Sequence, residues 1–182
     1  MERAIIPRMT DLRYPTGKLS YDDNLTADKR TALIARVAAA PAALRAAVSG
    51  LSDAQLDTAY RPGGWSVRQV VHHVPDSHLN AYVRFKLALT EDNPTIKPYQ
   101  ESAWANLADT RLTPVDVSLS LLDAVHHRWV VLLNSMSETD FARTLMHPEN
   151  GSMTLDRLLQ MYAWHGGHHV AHVTELRKRE AW

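Results

Sequence analysis

The run Trp164-His165-Gly166-Gly167-His168-His169-Val170-Ala171-His172 constrains this chain more than any other segment. At about 100° per residue, His165, His168, His169 and His172 fall on one side of a helix. Leu158, Met161 and Leu176 fall on the same side, so the histidine face is also the apolar face. Imidazoles turned into a core carry ring nitrogens that need partners. A bound divalent metal satisfies several of them at once.

Helix punctuation predicts where that segment sits. Thr26 reads as an N-cap opening a helix to about Val48, with Pro41 expected to kink or break it. Ser52-Asp53-Ala54-Gln55 opens a short turn of helix. After the loop Arg61-Pro62-Gly63-Gly64, Ser66 caps a long helix over about residues 67–91. Asn93 to Pro98 is a connection, Glu101 to Ala108 a short helix, and Thr113-Pro114 opens a third long helix to about Met136. Residues 141–153 read as a polar connection with a turn at Glu149-Asn150-Gly151, and Thr154 caps a fourth long helix reaching about Arg179. No strand is expected. Residues 1–24, with Pro7, Pro15 and Gly17, read as an irregular extension. The expected architecture is all-α: one four-helix bundle domain over residues 1–182, with short extra helices in its crossovers. Metal sites in such bundles are built from inward side chains on facing helices.

The charge balance narrows the function. Twenty basic residues are matched by twenty acidic ones and no basic patch stands out, which argues against nucleic acid as a partner. The chain has no cysteine. Any metal site must use His, Asp or Glu, and any reacting thiol must arrive as a cosubstrate. The first residues, with Glu2, Arg3, Pro7 and Arg8, do not read as a signal peptide, and no segment reads as membrane-spanning. A soluble cytoplasmic protein is the expectation.

Spacing alone leaves the ligand set open. His165 and His169 can reach one metal from a common face, and His168 and His172 have the same spacing. On the second long helix, the core stripe Val67, Val70, Val74, Ser77 and Ala81 leaves His72 pointing nearly backwards, with His73 and His78 on its flanks. The third long helix adds His126 and His127 beside Trp129. Taken singly, His78, His126 and His127 read as neutral, hydrogen-bonded histidines. Gly166 and Gly167 each cost about 1 kcal/mol relative to Ala inside a helix, which suggests room kept for a ligand or for close helix packing.

The segment Arg61-Pro62-Gly63-Gly64-Trp65-Ser66-Val67-Arg68-Gln69-Val70-Val71-His72-His73, continuing through Asp76-Ser77-His78 and Arg84-Phe85-Lys86, resembles the DinB superfamily. With Tyr14-Pro15-Thr16-Gly17 and Trp164 to Leu176, it is most similar to the YfiT branch, described as metal-dependent hydrolases. The resemblance implies a four-helix bundle holding Zn or Ni through three histidines: His73, matching the second His of the pair, and His165 and His169, matching the His-x-x-x-His of the last helix. His172 stands where many relatives have Gln and is read as a group beside the ligands or the substrate. Pro75 and Gly166-Gly167 depart from the pattern and bear on the width of the pocket. Relatives in this branch include bacillithiol S-transferases, and a homodimer is a further expectation from the family.

Three neutral imidazoles leave a divalent ion with its full charge and an open position, the arrangement of a catalytic site. That position can take water or a thiolate. The histidine motifs contain no carboxylate to serve as a general base. Asp76 and Glu175 read as orienting or surface groups, and Arg84 as a salt-bridge partner within the bundle or a contact for an anionic cosubstrate. Trp65 reads as a packing anchor for its helix start. The leading expectation is therefore a metal-dependent thiol S-transferase. Hydrolysis by metal-bound water is the alternative, and a non-catalytic metal-binding protein the second alternative.

Overall fold

The structure, a computed structural model, describes residues 11–182. Glu2, Arg3, Pro7 and Arg8, on which the reading of the N-terminus rests, lie outside the described residues. Four long helices are present: α1 (Ala27–Val48), α3 (Val67–Thr90), α6 (Val115–Ser135) and α8 (Leu155–Glu180). Short helices α2 (Asp53–Leu56), α4 (Glu101–Trp104), α5 (Ala108–Leu112) and α7 (Glu138–Phe141) occupy the connections. The starts are chemically marked. Thr26 and Thr154 each accept a hydrogen bond from the backbone N–H three residues on, and Ser66 forms a reciprocal capping box with Gln69. Arg177, Lys178 and Arg179 oppose the negative end of the α8 dipole.

Two expectations change. Residues 144–154 form a two-stranded hairpin, β1 (Thr144–His147) and β2 (Gly151–Thr154), where only a polar connection was read. Its apolar inward residues, Leu145 and Met153, face each other and are buried, while Gly151 supplies the positive φ of the turn. Pro41 does not end its helix, and α1 continues through it to Val48. By length and composition α1 is also apolar enough to cross a membrane, contrary to the sequence reading. In the fold it packs chiefly against α8 and α6, burying Ile34, Val37 and Leu44.

The core is divided in two. One apolar cluster joins Val37, Phe85, Trp129 and Leu159. The other joins Leu44, Val70, Leu122 and Leu176. Each long helix contributes to both, so the order of its contributions gives its direction. α1 and α8 run from the first cluster to the second, and α3 and α6 run the opposite way. His78 on α3, His126 on α6 and the histidines of α8 lie along each helix between its two apolar stretches, and His73 stands just before Val74, where the first stretch of α3 ends. The bundle therefore carries a layer of imidazoles at mid-height. Because α3 and α6 are parallel, residues 91–114 must return along the bundle, and this crossover lays Tyr99, Glu101 and Ser102 over the layer.

Candidate metal centre

His73, His165 and His169 each offer a ring nitrogen, and these three nitrogens lie within 4.8 Å of one another. His73 Nε2 and His165 Nε2 are 3.3 Å apart. Four ligands at about 2.0–2.1 Å in a tetrahedron have edges of about 3.3–3.4 Å, so this pair matches one edge of a Zn-type site. The donor set is chemically suitable. Burial holds His73 down to about 4, and burial first, then the neighbouring imidazoles, holds His165 and His169 well below their usual range. All three rings are neutral at neutral pH, the form that ligates.

Hydrogen bonds assign the tautomers of the two α8 rings. The carbonyl of Val37 can only accept, so His126 Nδ1–H donates to it at 2.7 Å. His126 Nε2 is then an acceptor for His78 Nδ1–H at 2.6 Å. His78 Nε2 in turn accepts from His165 Nδ1–H at 3.0 Å, which leaves His165 Nε2 unprotonated and facing the cluster. A shorter chain serves His169: the carbonyl of Arg13 accepts from His172 Nε2–H at 3.3 Å, and His172 Nδ1 accepts from His169 Nδ1–H at 3.4 Å. Each ring is thus oriented through a second imidazole anchored on a backbone carbonyl.

The other candidates separate clearly. His72 turns toward α6 and bonds Ser118 Oγ at 2.7 Å. His127 is exposed. His168 stacks on Trp164, with ring centroids 4.2 Å apart, and His172 stacks on Tyr60 at 3.9 Å. Asp76 lies outside the cavities at the centre, with its carboxyl raised to about 6 by burial and then by Asp109. Glu175 is paired with Lys178. Arg84 forms no salt bridge within the bundle among the described residues, against the sequence reading. Trp65 is more than an anchor, since its ring meets His73 edge-on at 4.6 Å and stacks over His169 at 6.4 Å.

Two cavities meet at the cluster. One, of about 440 Å³, extends past Arg84, Tyr99 and Tyr162. The other, of about 490 Å³, opens past Arg13, Tyr60, Arg61 and Trp65. His165, Glu101 and Ser102 line both. Sequence reading missed Tyr99, Glu101 and Ser102, because they reach the site through the crossover and no helical periodicity points at them. Burial raises the Glu101 carboxyl, with Arg84 acting against that shift.

The DinB superfamily profile matches residues 36–173. Curated relatives named "Putative metal-dependent hydrolase" include one from Bacillus cereus, 54% identical over 174 residues, covering 96% of this chain and all of the relative. Another, from Bacillus mycoides, is 53% identical over the same coverage. The solved structure of YfiT from Bacillus subtilis, described as "a probable metal-dependent hydrolase with an unusual four-helix bundle topology", superposes with a TM-score of 0.92 at 44% identity, covering 94% of this chain and 98% of that one. With its parallel α3 and α6, its imidazole layer and this likeness along most of its length, the chain belongs to the DinB superfamily.

Proposed function

We propose that His73, His165 and His169 hold one divalent ion, Zn or Ni, and that the chain is an enzyme transferring a small thiol to an electrophile. The observation that carries this reading is the meeting of two cavities at His165, one of the three clustered imidazoles, which suits a reaction of two substrates. A bound divalent ion would supply the positive charge that keeps a sulfur in its thiolate form at neutral pH. The three imidazoles are neutral and leave that charge uncancelled. Trp65, packed on His73 and His169, walls one side and excludes water. Glu101, on the wall common to both cavities, takes the thiol proton on its carboxylate and returns it to the leaving group. The S–C bond forms as the bond from carbon to the leaving group breaks, and that group departs with the electron pair.

The test is conjugation of 1-chloro-2,4-dinitrobenzene by metal-loaded protein with bacillithiol, mycothiol, glutathione or no thiol. Turnover with one thiol, abolished in His169→Ala, supports transfer. No turnover in protein holding stoichiometric metal contradicts it. A second reading, hydrolysis, is favoured by Glu101, which gives the site the carboxylate that the histidine motifs lack. Ester or amide cleavage by the same preparation, without added thiol, would select it.

A further inference from the structure

Arg84 is a buried cation without a salt bridge, although the Glu101 carboxyl is near enough to feel its charge. Its residue is 9% exposed, yet no carboxylate among the described residues lies within ion-pair distance of it. Its guanidinium has five N–H donors, and its side chain makes one hydrogen bond among these residues, to Tyr162 Oη at 3.4 Å. Burying a charge without a partner is costly, and Arg84 lines a cavity from which an anion can reach it. A second unpartnered group belongs to a residue of the same cavity lining. Tyr99 Oη is buried near Ser77 and has no partner at hydrogen-bond geometry. Both residues line the cavity of about 440 Å³ whose wall also includes His165. The lining is largely polar, with His147 and Ser102 among it, and Met153, Leu158 and Met161 supply its apolar part. Glu101 and Glu149 also line this cavity, neither of them within ion-pair distance of Arg84.

We infer that this cavity is a subsite for a small molecule bearing a carboxylate, which pairs with the fork of Arg84 and accepts from the hydroxyls of Tyr99 and Tyr162. The planar guanidinium matches a carboxylate through two parallel hydrogen bonds, and the tyrosines serve the remaining lone pairs. Met153, Leu158 and Met161 offer apolar contacts to a short body on that ligand. Only the placement of the ligand's reacting end at His165 rests on the metal-centre reading. The pairing with Arg84 does not.

The experiment is calorimetric titration with hippurate and with its neutral counterpart N-benzoylglycinamide. It uses zinc-loaded and metal-free protein, with Arg84→Met, Arg84→Lys and metal content measured in parallel. Hippurate is expected to bind about tenfold more tightly than the amide, the scale of one charge-assisted hydrogen bond, with or without metal. Arg84→Met should erase the preference while keeping metal content and melting temperature, and Arg84→Lys should keep part of it. Equal binding of the two probes, or binding of neither, overturns the subsite. So does a preference that persists in Arg84→Met. A preference that vanishes on metal removal alone assigns the carboxylate to the ion and also overturns it. Loss of folding in Arg84→Met with full preference retained in a folded Arg84→Lys makes the fork unnecessary and counts against the proposal. Absence of metal from the protein with the preference intact would contradict the metal centre and leave the subsite standing.

Discussion

His78 Nε2 lies 3.0 Å from His165 Nδ1, and through that contact the carbonyl of Val37, on another helix, determines which nitrogen of His165 carries the proton. The consequence is a bare Nε2 on His165 facing the cluster, the form in which an imidazole can ligate a metal. His78→Leu should weaken metal affinity by about 10–100-fold, the usual effect of removing a group that orients a metal-binding histidine. His78→Gln, whose amide can accept from His165 and donate to His126, should recover part of it. Nitrogen-15 spectra of the metal-free protein should show His126, His78 and His165 protonated at Nδ1. Protonation of His165 at Nε2 would contradict the chain of bonds.

The same imidazole layer makes stability depend on pH. Burial lowers His73, His168 and His172 to about 4, with His172 also acting on His168, against an unfolded value of about 6.5. The unfolded chain therefore binds more protons in this interval, and stability of the metal-free protein falls as pH drops from 6.5 toward 4. Each proton taken up on unfolding contributes a slope of about 1.4 kcal/mol per pH unit. Asp76 and Glu101, raised by burial, pull in the opposite sense but are outnumbered by the lowered imidazoles. Urea midpoints at pH 7.5 and 5.5 measure the difference, and equal midpoints would contradict it.

Gly166 and Gly167 separate into different roles. A Cβ at Gly166 would stand 3.0 Å from Ala40 Cβ and 3.4 Å from His78 Cε1, so this glycine lets α8 approach α1 and the His78 ring. A Cβ at Gly167 meets nothing within 4 Å. Gly167→Ala should stabilise by about 0.5–1 kcal/mol through helix propensity. Gly166→Ala should gain less or lose stability, because Ala40 is fixed on its helix and has no flexible end to yield. Equal gains in chemical denaturation would contradict the packing role.

Much of this was legible in the sequence where a short-range signal existed. Thr26, Ser66 and Thr154 announce three of the long helices, because a capping side chain and the backbone N–H that donates to it are local. The facing of His72 away from the cluster followed from its position against the Val67–Val70–Val74 stripe, and the structure gives it Ser118 instead. Spacing could not choose between His165/His169 and His168/His172, since both pairs share the helix face and only the position of α3 distinguishes them. The hairpin at 144–154 was missed because its strands are too short for alternation to register. Tyr99 and Glu101 were missed because their place depends on the return path between two parallel helices, which no local pattern encodes. For Arg84 the sequence leaves a salt bridge within the bundle and contact with an anionic cosubstrate both open, the former favoured because an arginine on a helix flank commonly has a partner, and the absence of that partner is a tertiary fact.

The proposed metal centre joins three imidazoles from two helices, His73 on α3 and His165 and His169 on α8. The most direct test is metal content by mass spectrometry after equilibration with Zn or Ni, for the parent chain and for His73→Ala, His165→Ala, His169→Ala and His72→Ala. One ion per chain is expected in the parent and in His72→Ala, and loss of it in each of the other three. Equal retention in all four variants, or no stoichiometric ion in the parent, would contradict it.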